Sequence, residues 1–149
     1  MSLLETAHHN LPLLALSQAQ KELTHNEALM RIDALLHTTV IDELAIPPMV
    51  TDADIGKCWL IAASPVADWA GKAGQIALWV GGSWRFLTPT EGMRARQLSI
   101  GRDRIRSAGM WVSAPSISDP ANGSVIDGEA RQAIVALLQY FRMIGLIAL

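Results

Sequence analysis

The chain has one cysteine, one tyrosine and two phenylalanines among 149 residues, and only 17% of its residues are charged. A single cysteine, Cys58, excludes an internal disulfide and any cysteine-based metal cluster. Next to Trp59 in an apolar run it reads as a small core residue. The twelve Lys and Arg nearly balance the fourteen Asp and Glu, leaving a net charge of −2 and no global electrostatic case for nucleic acid. A long apolar run is missing too. The most apolar segment, Ala133 to Leu149, is interrupted by Gln139, Tyr140 and Arg142, so it is too short and too polar to span a bilayer. Membrane insertion is not expected. Glu5, His8 and His9 stand where a signal peptide would carry Lys or Arg, and Leu11 to Leu16 is short for its apolar region, so nothing marks the chain for secretion.

What the chain does have is apolar surface and tryptophan. Half its residues are hydrophobic and the mean hydropathy is +0.25, a surplus for a monomer of this size that points to burial against copies of itself. Four of the five tryptophans (Trp59, Trp69, Trp79 and Trp84) lie between Gly56 and Pro89. Trp59 to Ala62, Gln75 to Val80 and Ser83 to Leu87 are short apolar runs, and Gly81-Gly82 supplies the positive φ of a tight hairpin turn. Thr38 to Leu44 reads as a first strand, and Met93 to Val112 as two more around Gly101.

Helices flank this sheet. Ser17 and Gln20 have capping-box form, and Ala19, Leu23, Leu29, Met30, Ile32, Leu35 and Leu36 make an apolar stripe ending near His37. Glu27 and Arg31 are spaced as an i,i+4 ion pair. The last helix takes Asp127 as its N-cap and Gly145 as its C′ residue. Its apolar residues Ala130, Ile134, Leu137, Phe141 and Ile144 keep a/d spacing, with Val135 and Leu138 beside them. The Pro- and Ser-rich stretch before it reads as a linker. The predicted fold is α+β: a domain over 1–112 with an N-terminal helix on a small antiparallel meander, a linker at 113–126, and an assembly helix over 127–149.

No catalytic signature is present. Ser–His–Asp order, a nucleophile elbow and a phosphate loop are all lacking, and His25 has no second histidine at zinc-protease spacing. No cofactor and no metal site is implied. Gln18, Lys21, Glu22, His25 and Asn26 form a polar ridge at helical spacing, expected to be buried and hydrogen-bonded at a helix–sheet or subunit contact. The alternative is an enzyme acting on surface glycans through Glu22 and His25. Trp59 and Trp79 read as core, whereas Trp69, in the loop Ala67 to Gly71, is a candidate sugar platform with Asp68 or Lys72 in reach of a hydroxyl. Arg94 and Arg96 share one strand face, as do Arg102, Arg104 and Arg106. Both sets are expected to be solvated, with an anion site as the alternative.

Leu11-Pro12-Leu13-Leu14, Gln18 to Glu22 and His25 to Leu29 resemble the opening of a tail-fibre protein family of unknown function found in prophages and gene transfer agents. The likeness continues through Trp69-Ala70-Gly71, Gly74 to Trp79, Gly82 to Phe86 and Pro89 to Gly92, and Gly123 to Arg131 is similar to a helix often attached to that domain. Met93 and Cys58-Trp59 depart from the pattern, where a tryptophan and a tyrosine are usual. The resemblance implies a structural part of a phage-like tail, made in the bacterial cytoplasm and carried in the virion. Its implied partners are itself as a homotrimer, other tail or baseplate proteins, and a host surface glycan. It implies no reaction.

Overall fold

The computed structural model describes residues 4–15, 21–121 and 127–148. Ser17, Gln18 and Gln20 lie outside them, as does the side chain of Lys21. In order come α1 (Lys21–Leu36), β1 (Thr39–Val40), β2 (Glu43–Leu44), β3 (Cys58–Ile61), β4 (Ile76–Trp79), β5 (Trp84–Leu87), β6 (Arg94–Gln97), β7 (Arg102–Ser107), β8 (Met110–Val112) and α2 (Gly128–Met143). The class is α+β, but the single meander expected from the sequence is two four-stranded sheets, β2-β3-β4-β5 and β1-β6-β7-β8. Each sheet is antiparallel apart from one short parallel strand, β2 against β3 and β1 against β6.

The split falls inside Thr38–Leu44. The Arg96 N–H donates to the Thr38 carbonyl and that of Leu98 to Val40, while Leu60 N–H donates to Asp42 and Ala62 N–H to Leu44. One seven-residue stretch therefore laces both sheets together. Asp42 marks the crossover, accepting from the Ser99 hydroxyl at 2.6 Å, the Glu43 N–H at 2.8 Å and the Gln97 amide at 3.0 Å. These donors, Ser99 first, lower its pKa below the usual carboxylate value. Arg104 makes the second tie. From β7 it reaches Glu43 of β2 at 2.7 Å and also donates to Gln97 Oε1 and the Trp111 carbonyl.

Alternation along β3 assigns its two faces. Cys58 and Leu60 join Ala34, Val40, Ile76, Leu78, Leu87, Ala95 and Trp111 in a core between α1 and the two sheets. Trp59 and Ile61 turn the other way, into an aromatic cluster with Trp69, Ala77, Trp79, Trp84 and Phe86. That second face is covered by loops that bring in Val50 and Trp69. Gly81 (φ +80°) and Gly82 (φ +85°) make the predicted two-residue hairpin turn, which sets Trp79 opposite Trp84 and Ala77 opposite Phe86.

Cys58 is 1% exposed, and burial, aided by the charge of Asp33, pushes its thiol pKa up to about 12. The thiolate is the reactive form, so a disulfide reagent such as DTNB is expected to leave the folded protein unmodified and to titrate one thiol after unfolding. Prompt reaction in the native state would show that this core opens readily.

α1 is turned differently from its apolar pattern. Leu23 is 61% exposed and Leu36 60%, and Ile32 and Leu35 are also exposed, while Glu22, Asp33 and Ala34 face inward. The expected Glu27–Arg31 pair forms at 2.6 Å, and Arg85 of β5 approaches Glu27 at 3.6 Å. α2 ends as predicted. Asp127 accepts from the Ala130 N–H at 2.9 Å, and the Gly145 and Leu146 N–H groups bond Arg142 and Phe141 in a Schellman turn. Gly145 has φ +74°, and a Cβ there would lie 2.0 Å from Arg96 Nη1, so only glycine fits.

The stretch before α2 does not detach it. Arg142 pairs with Asp119 at 2.8 Å and donates to the Ile117 carbonyl, and Ser116 bridges Ala148. Arg96 Nη1 donates to the Ile144 carbonyl at 3.1 Å, and Asp103 N–H donates to that of Gly145 at 3.3 Å. The C-terminal end of α2 is thus anchored on the β6–β7 turn.

Candidate functional site

Three places carry the candidate polar or aromatic side chains. The first surrounds Asp33. Glu5, Asp33 and Asp52 line a cavity of about 550 Å³ whose other walls include Leu13, Met30, Ile55 and Leu78. Carboxylates around a pocket are what an enzyme would require, but Asp33 is already committed. Oδ1 accepts from the Thr6 hydroxyl and the His9 N–H, each at 2.8 Å, and Oδ2 from the His8 N–H at 2.9 Å. His8 Nε2 bonds the Gly56 carbonyl at 2.8 Å. Asp33 is thereby the clasp that folds residues 4–15 onto α1, a role that no pattern of apolar residues reveals. Asp33→Ala is expected to cost about 1–3 kcal/mol, because buried donors lose their acceptor while water reaches part of the loop. Urea unfolding measures it, and early proteolysis within residues 4–15 is the expected companion effect.

The ridge is the second place. Glu22 is buried, with Oε2 lacking a hydrogen-bond partner. Asn26 clamps the chain at Leu14, its Oδ1 accepting from the Leu14 N–H at 2.9 Å and its Nδ2 donating to the carbonyl at 3.0 Å. His25 is exposed on the single chain. Glu22, three residues earlier on the helix, is buried, so the two differ in burial. Among the described residues no group of His, Cys, Asp and Glu could hold a metal ion.

The third place is the aromatic cluster, and here the expected platform is corrected. Trp69 is 0% exposed: the 3-10 turn Ala67–Trp69 tucks its indole inward, edge-on to Trp84 with ring centroids 5.2 Å apart. It cannot present a face to a ligand. Asp68, one residue earlier, remains exposed, and the Lys72 ammonium lies 5.3 Å from the centre of the Phe86 ring. The rings that do reach the surface are Trp79, Trp84 and Phe86, all half-buried. With Pro47, Pro48, Val50, Ser83 and Asp68 they line a shallow groove of about 480 Å³. Trp79 and Trp84 are 5.0 Å apart and tilted by 58°, and Trp79 is fixed by its Nε1–H bond to the Thr51 carbonyl at 3.0 Å. Thr51 itself caps the Asp52–Asp54 turn, where Lys57 and Thr51 hold the Asp54 pKa down to about 2. The sequence signal for this site was the Gly-Gly turn itself. It pairs Trp79 with Trp84, and the period of two adds Phe86 to the same face.

Three of the five arginines in these rows are already engaged. Arg96 pairs with Asp103 at 3.2 Å and Arg104 with Glu43, while Arg106 leans on the Trp111 ring at 5.9 Å and on the Gly74 carbonyl.

Residues 25–112 match a family described as a protein of unknown function, DUF2793. The chain belongs to that family. No curated protein matches it. The matched span starts within α1 and ends with β8, so it holds both sheets and the aromatic groove, whereas α2 lies beyond it. No helix among the described residues is long and apolar enough to cross a membrane.

Proposed function

We propose that the protein is a structural component of a phage-like tail, a tail fibre or baseplate-associated part, that assembles as a homotrimer through α2 and contacts a host surface glycan. The observation that carries this reading is the outer face of α2. Ile134 is 46% exposed and Leu137 56%, and Tyr140, Phe141, Met143 and Ile144 are exposed beside them, while only Leu138 of the described helix is buried. A helix capped at both ends and anchored by Arg142, yet apolar on its open side, is a surface made for other copies of itself. The resemblance of Leu11–Leu14, His25–Leu29 and Gly82–Phe86 to tail-fibre proteins supplies the context, with other tail or baseplate proteins as further partners. Asp33 is taken up in the clasp, and Glu22 is buried while His25 is exposed, an arrangement that does not favour a reaction. Immunogold labelling of phage-like particles from a strain that carries this gene tests the assignment. Gold along the tail or at its tip is expected, and particles that never carry the antigen would contradict it.

A further inference from the structure

We propose that the groove over Trp79, Trp84 and Phe86 is a saccharide subsite, which takes a neutral pyranose by stacking its C–H face on the aromatic rings while its hydroxyls donate to Asp68. The inference deepens the glycan-contact part of the reading above and rests on it for its biological setting, but its evidence is the groove alone. A volume of about 480 Å³ falls within the range of about 300–1,000 Å³ usual for small-molecule sites. Its floor is rigid: Trp84 is held edge-on by both Trp59 and Trp69, and Trp79 is pinned to Thr51. A preformed aromatic surface binds without paying to order itself.

The polar rim selects the ligand class. Asp68 stands at the groove with its carboxylate in no hydrogen bond or ion pair among the described residues, and an ionised carboxylate only accepts. Ser83 adds a hydroxyl, which already accepts from Arg85 Nη1 at 3.0 Å. A sugar matches this rim, because its hydroxyls donate to a carboxylate in charge-assisted bonds while the ring presents an apolar face. A proline-rich peptide does not. It offers carbonyls and few N–H groups, so it leaves the Asp68 carboxylate without a donor. A quaternary ammonium would suit the aromatics and Asp68, but it would meet the positive charge of Lys72 over Phe86. A neutral polyol meets neither objection.

The full-length protein, with its indole N–H groups labelled with ¹⁵N, is titrated with neutral hexo-oligosaccharides and screened on an array of bacterial surface glycans, with a decaproline peptide and choline as the competing probes. Saturable shifts of the Trp79 and Trp84 indole signals with a neutral saccharide, and a smaller response from the buried Trp69, are the expected result. Asp68→Asn, at an exposed site that leaves the core untouched, is expected to weaken binding about tenfold or more, the loss of one charge-assisted bond. Absence of saccharide binding, full affinity in Asp68→Asn, or shifts with decaproline or choline in place of sugar would each overturn the proposal. Light scattering on the same samples keeps the two readings apart. A trimer that binds no sugar removes the subsite alone, and a monomer that binds sugar removes the assembly role alone.

Discussion

Trp69→Ala is expected to destabilise the protein by about 3–5 kcal/mol. Trp69 has no exposed surface, and its ring is the one against which Trp84 stands at 5.2 Å and 79°. Removing it opens a cavity beneath the groove, and the surrounding rings cannot close in, because Trp84 is also held by Trp59 at 5.5 Å and Trp79 by Thr51. One detail separates packing from polarity. Trp69 Nε1 is buried without a hydrogen-bond partner, a defect that costs on the order of 1–3 kcal/mol. Trp69→Phe removes that donor while keeping an edge-to-face ring, so it is expected to be clearly milder than the alanine variant. Urea midpoints and slopes for the two variants make the test. An alanine variant within 1 kcal/mol of the parent chain would contradict the aromatic core as described.

The second large effect is expected from Leu137→Asp on α2. Leu137 is the most exposed of the large residues of the heptad seam, and Ile134, Phe141 and Ile144 lie along the same line. Each large apolar side chain buried in an assembly contributes about 1.5–3 kcal/mol, and in a trimer every substitution is made three times. A carboxylate at this position also brings three like charges together where water is excluded. The variant is therefore expected to dissociate to single chains while its far-ultraviolet circular dichroism stays the same, because Leu137 makes no part of the protomer's own core. Arg142→Ala offers the contrast. It releases Asp119 and Ile117 and loosens the base of the helix, but it leaves the seam apolar.

These expectations draw on features that were unequally legible in the sequence. Wherever a local rule decides the outcome, the sequence announced it. Gly81-Gly82 needs positive φ, Asp127 caps α2, Gly145 terminates it, and Glu27 meets Arg31 one turn away. Thr38–Leu44 looked like one strand because its β propensity is continuous, and nothing local records that Asp42 would hand the chain from one sheet to the other. α1 misled for a related reason. Its orientation is set by Asp33, a polar residue whose three bonds run to residues 24 or more positions away, and apolar periodicity gives such a residue no weight. Trp69 sits in a loop by sequence, yet Ala67 takes φ +51° and the turn swings the indole inward, leaving Asp68 outside. The candidate site was thus half legible. Asp68 was named from its place in the chain, while the rings beside it became visible only through strand pairing.

The central claim, a trimer closed by the open face of α2, is tested most directly by the molar mass of the full-length chain from multi-angle light scattering at micromolar concentration. The expected result is a single species of three 16.1-kDa chains that falls to one chain in Leu137→Asp. A parent protein that runs as a 16.1-kDa monomer would contradict the account, as would a trimer that Leu137→Asp leaves intact.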